Sequence, residues 1–118
     1  MKKEFEALTW LKNNENRSPF AANFFGDKKS ILNFVIALYE AGTENVEIGN
    51  TYDEDWRIKS EGGPYADELI ITFPKNKDKK LNIVGLIMKN RPDEYFDVDE
   101  KSNIVNWSKV KTISLWWD

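Results

Sequence analysis

Neither cysteine nor histidine occurs among the 118 residues. Without cysteine there is no disulfide, no thiolate zinc site and no thiol nucleophile. Without histidine the commonest general base, the Ser-His and Cys-His pairs and the commonest metal ligand are all excluded. Any catalysis would rest on carboxylates, Lys, Tyr or Arg. Apolar runs of membrane-spanning length are missing, and the opening MKKEFEALTW has no signal-peptide apolar core. A strong charge of one sign is lacking as well, because the net charge of −3 gives no overall drive toward nucleic acid. These absences imply a soluble cytoplasmic protein that binds rather than catalyses. They imply no cofactor, no membrane partner and no nucleic acid partner.

What is present is enough for a core. Hydrophobic residues make up 41% and aromatic residues 14% of a chain the size of one domain, residues 1–118. Residues 3–13 carry Phe5, Leu8 and Leu11 on one side, which predicts a short amphipathic helix within an N-terminal extension, 1–18. Residues 20–25 place Phe20, Ala22 and Phe24 in alternation and are read as a strand. Asp27 and Gly42 bracket a helix with Ile31, Leu32, Val35, Leu38 and Tyr39 as its stripe, widened by Phe34 and Ile36.

From Val46 to Ile58 every second residue is mostly apolar, and from Tyr65 to Phe73 the alternation resumes. Ser60 to Pro64 supplies a turn between them. This predicts one long hairpin, bent at Asp53–Asp55, where three adjacent carboxylates suit a ladder poorly. Residues 78–90 predict a second helix with Leu81, Val84 and Met88 as its stripe. Residues 91–108 read as a long acidic connection, and Val110–Trp117 as a last strand with Trp117 inward and Trp116 on the open face. The order is that of an α+β, ferredoxin-like βαββαβ antiparallel sheet with two helices on one face and an extra N-terminal helix. The alternative is a three-stranded antiparallel α+β sheet.

Charge is unevenly spread. Residues 40–68 carry nine acids against Arg57 and Lys59, and residues 92–100 add five acids with no base. The lysine-rich segment 75–91 lies between them. Most of these charges are expected on solvated faces. The sharper reading is a surface for a basic protein, with aromatic anchors set among acids. Its candidate residues are Asp53, Glu54, Asp55, Trp56, Arg57, Glu61 and Tyr65 in the hairpin, and Asp97 and Asp99 in the acidic connection. Tyr52 is assigned to the core by parity, whereas Trp56 suits core or interface.

Two other chemistries are open. Asp53, Asp55, Asp67 and Glu68 have the residue types of a carboxylate Mg²⁺ or Ca²⁺ site, as in a metal-dependent hydrolase. Asp53-Glu54-Asp55 matches the first spacing of a calcium loop, but the glycine that should follow is missing. A small ligand on the open sheet face of a regulatory domain is the other. Gly62-Gly63-Pro64 is a turn and not a phosphate loop, since no Lys-Ser/Thr follows it. A small, acidic, cysteine-free chain without a catalytic constellation has the composition of an inhibitor or immunity-type protein. Self-association through an open sheet face or edge is a further option.

Overall fold

The computed structural model describes residues 5–118. Nine elements follow in order: α1 (Ala7–Asn13), α2 (Ala22–Phe25), α3 (Lys28–Ala41), β1 (Asn45–Tyr52), α4 (Asp55–Glu61), β2 (Tyr65–Thr72), α5 (Lys77–Lys89), β3 (Glu94–Asp97) and β4 (Thr112–Trp116). The fold is α+β. The strands form one antiparallel sheet in the order β1-β2-β4-β3. No helix of the described residues is long and apolar enough to cross a membrane.

The helices form where local chemistry fixes their ends. The Asp27 carboxylate accepts from Ser30 N–H at 3.0 Å and caps α3, which stops at Gly42. The Asn76 side chain accepts from Lys79 N–H and caps α5. The Glu6 carboxylate accepts from the N–H groups of Leu8 and Thr9 to start α1. Of the expected first helix, residues 3 and 4 lie outside the described residues. Ala7 and Leu11 of α1 are fully buried, so this segment belongs to the core and is not appended to it.

One sheet face carries the core. Val46, Ile48, Leu69, Ile71, Ile113 and Leu115 share that face and pack with Ile31, Leu38, Ile83 and Ile87 from α3 and α5. Trp117 is 1% exposed, as its parity requires. Its ring meets Phe20, Phe25 and Phe34, with centroids 5.2–6.1 Å away, and its Nε1–H donates to Asn90 O at 2.8 Å.

Three expectations are corrected. The ferredoxin-like order is not formed, because 20–25 makes no strand. Phe20 and Phe25 both join the Trp117 cluster, whereas an extended chain would point residues five apart to opposite faces. Ala22–Phe25 therefore coils into one helical turn, and Phe20 alone bridges Ala66 in parallel. That bridge lies beside β2 just past the last β4 pair, Glu68 with Trp116. The fourth strand comes instead from the acidic connection, as β3.

The long hairpin is also interrupted. β1 ends at Tyr52 and the chain turns into α4. Residues 54, 57 and 61 explain it: Arg57 bonds Glu54 and Glu61, the i−3 and i+4 neighbours that only a helix brings together. Gly62, at φ +91°, then ends the helix in a conformation that suits glycine. Lastly, α5 buries Ile83 and Ile87 and not the expected stripe, leaving Leu81 70% exposed and Met88 on the surface. Both stripes have helical spacing, and packing selects between them.

Candidate functional site

Two surfaces concentrate exposed aromatic and acidic side chains. The first is α4. None of its residues is buried. Trp56 is 57% exposed and Ile58 44%. The helix is held by Arg57, which is much less exposed than its neighbours. Its Nε donates to Glu54 Oε1 at 2.9 Å and its Nη1 to Glu61 Oε1 at 3.0 Å. The guanidinium carbon lies 4.5 Å from the Trp56 ring centroid, 5.4 Å from that of Tyr65 and 5.8 Å from that of Tyr52. The Arg57 hydrogen bond holds the Glu54 carboxyl below its ordinary range, and the same bond raises Arg57.

The platform beneath is itself fixed. Tyr65 Oη accepts from Ala22 N–H at 3.0 Å, and the Tyr52 and Tyr65 rings are 6.2 Å apart. Tyr52 is only partly buried: its hydroxyl accepts from Asn50 Nδ2 at 2.9 Å and donates to Asp67 at 3.3 Å. Asn14 and Asn16 donate to the carbonyls of Gly63 and Pro64 and tie the turn after α4 to the N-terminal segment. Between α4 and residues 15–18 runs a cleft of about 810 Å³ whose lining mixes signs, Glu15 and Glu61 with Arg17, Arg57 and Lys59.

The second surface is the sheet face opposite the core. Register places Gly49, Glu68, Trp116 and Glu94 in one row across β1, β2, β4 and β3. The next row is Glu47, Ile70, Ser114 and Phe96. The two rows hold three glutamates and no lysine or arginine. Phe96 is 41% exposed and Trp116 is partly exposed. Ser114 Oγ donates a hydrogen bond to Glu68 Oε2. Gly49 makes room for the same carboxylate, since a Cβ there would collide with Glu68 Oε1. A cleft of about 370 Å³ lies on this face, lined by Asn50, Glu68, Glu94, Phe96, Ser114 and Trp116 among others.

The structure divides the sequence candidates. Asp53, Glu54, Asp55, Trp56, Arg57, Glu61 and Tyr65 come together at α4. Asp97 and Asp99 lie at the opposite edge of the sheet, on and after β3. Asp97 is buried, and its Oδ1 accepts from the N–H groups of Asp99 and Glu100. It closes a turn and offers no contact surface, while Asp99 stays exposed. Burial pushes the nearby Lys80 ammonium down and Asp97 opposes that shift. The carboxylates of the metal reading do not converge: Asp67 is bonded to Tyr52, while Glu68, next in the strand, points to the other face and Ser114. No group of three or more metal-ligating side chains is found among the described residues.

Sequence reasoning missed the row on the open face. Parity puts Trp116 on that face, but its acidic neighbours Glu68 and Glu94 come from two other strands far from it in sequence, and only register reveals them. No family model, curated protein or solved structure was found to match the chain.

Proposed function

We propose that this chain works by binding a basic partner protein, in the manner of an inhibitor or immunity-type protein, with α4 as the principal contact. The exposed indole of Trp56 carries this reading. Arg57 fixes it from one side, and Asp53, Glu54, Asp55 and Glu61 surround it. Four carboxylates against Arg57 and Lys59 leave a local charge of −2 over residues 53–61. Asp53 and Asp55 have no ion pair among the described residues.

A tryptophan more than half exposed leaves about 3 kcal/mol of burial to be gained at an interface. Tryptophan is among the residues that dominate binding energy when a partner covers them. The acids around it add encounter rate and selectivity for positive charge more than raw affinity. Since α4 contributes no buried side chain, its substitution leaves the core intact.

The test is capture from a host lysate by wild type, by Trp56→Ala and by Asp53→Lys/Asp55→Lys. The expected result is one basic protein retained stoichiometrically by the wild type and lost by both variants at unchanged melting temperature. Equal capture by all three proteins would overturn the reading.

A further inference from the structure

Around Arg57 the chain assembles an indole face and two carboxylates, those of Trp56, Glu54 and Glu61. The open sheet face presents the same three groups in another frame. Trp116 on β4 has Glu68 of β2 as its partner on one side and Glu94 of β3 on the other. With strands about 4.8 Å apart, the two glutamate backbones stand about 10 Å apart with the indole between them. Both ion pairs of the described residues belong to Arg57, so neither Glu68 nor Glu94 is paired with a cation among the described residues.

The geometry points to an arginine subsite: we infer that the Glu68–Trp116–Glu94 row takes the guanidinium of an arginine side chain on the basic partner protein. The inference rests on the reading that the partner is a basic protein. The guanidinium stacks on the Trp116 indole and donates to carboxylates on both sides, as Arg57 does within α4. Its planar fork can serve two acceptors at once, whereas an ammonium is a point charge that favours one. Glu68 is positioned for this by the Ser114 hydrogen bond and by the absent side chain of Gly49. Phe96 and Ile70 in the next row give the arginine's methylene stem an apolar surface, and Glu47 adds a third negative charge. The cleft is open, so a free small cation would be held weakly, and a side chain already anchored on a docked protein suits it better.

The experiment uses indole N–H signals in NMR of the ¹⁵N-labelled protein, titrated at low salt with the peptide Gly-Arg-Gly-Arg-Gly and with its lysine counterpart. The expected result is movement of the Trp116 signal by the arginine peptide, with at least threefold weaker binding of the lysine peptide. The Trp56 signal should move less than that of Trp116, because Arg57 already occupies one face of that ring. Glu94→Gln, at an exposed position, should weaken the arginine peptide about twofold to fivefold. A Trp116 signal unmoved at millimolar arginine peptide, or moved equally by both peptides, overturns the inference.

Partner capture separates this inference from the proposed function. Loss of the partner by the α4 variants with full retention by Glu94→Gln and Trp116→Ala removes the subsite and keeps the function. Loss by Glu94→Gln and Trp116→Ala alone keeps the subsite and removes α4 as the principal contact. Retention by every variant overturns both.

Discussion

The guanidinium carbon of Arg57 lies 4.5 Å from the centroid of the Trp56 ring. This contact, with the bonds to Glu54 and Glu61, substitutes for burial in holding α4. Arg57→Ala should therefore free α4 while sparing the core. Amide exchange in residues 55–61 should accelerate about tenfold or more, with little change in strands β2 and β4. Lysine at this position should not restore protection, since it cannot stack and fork together. Unchanged exchange in Arg57→Ala would show that α4 is held by something else.

The core makes a harder demand. Leu38 and Ile71 are fully buried in one cluster from α3 and β2. Replacing either with alanine should destabilise the protein by about 2–5 kcal/mol in chemical denaturation, and Trp117→Ala by about 3–5 kcal/mol. Near-neutral values at Leu38 and Ile71 would contradict the packing.

Gly49→Ala isolates the role of Glu68. The added methyl would meet the flexible end of the Glu68 side chain, which can swing away without moving backbone. Melting temperature should change little, while arginine-peptide binding at Trp116 should weaken severalfold. Full binding by Gly49→Ala would mean that Glu68 need not sit where the Ser114 bond holds it.

Acid and alkali should act on one contact between α1 and α3. The Tyr39 hydroxyl donates to Glu6 Oε2 at 2.6 Å and accepts from Val46 N–H at 3.1 Å. Burial raises the Glu6 carboxyl, but the hydrogen bonds from Tyr39, Thr9 and Leu8 outweigh it and leave the group below its ordinary value of 4.5. A lowered carboxyl contributes stability above the unfolded value, and that contribution is lost as pH falls through the folded one. Burial, followed by the bond to Glu6, pushes Tyr39 up to about 12 from 10.0. A raised phenol contributes fully below pH 10 and loses its contribution as pH rises through about 12. The melting-temperature gap between wild type and Glu6→Gln should thus shrink below pH 4.5, and the gap to Tyr39→Phe should shrink above pH 10. Gaps that stay constant across pH would contradict this linkage.

Much of the scaffold was legible in the sequence. Asp27 and Gly42 bracket α3 as expected, Leu69, Ile71 and Phe73 face inward, and the parity of Trp116 and Trp117 sorts the two indoles correctly. α4 was hidden because Trp56 and Ile58 continue the alternation of β1 by accident. The signal against a strand was the 54-57-61 spacing of Glu, Arg and Glu, with Gly62 after it. Residues 20–25 misled in the same way, because alternation of Phe20 and Phe24 says nothing of Phe25, whose need for the Trp117 cluster coils the segment. The candidate contacts around Trp56 were named from one local stretch and stayed together. The charge of Asp97 is plain in the sequence, whereas its burial within a turn is not. The Glu68–Trp116–Glu94 row was illegible because it is assembled by register among three strands.

The most direct measurement is the affinity of the captured partner for wild type and for Trp56→Ala, by titration calorimetry at several salt concentrations. The account predicts a loss of at least tenfold on Trp56→Ala and an affinity that falls as salt rises. An affinity indifferent to both Trp56 and salt would contradict it.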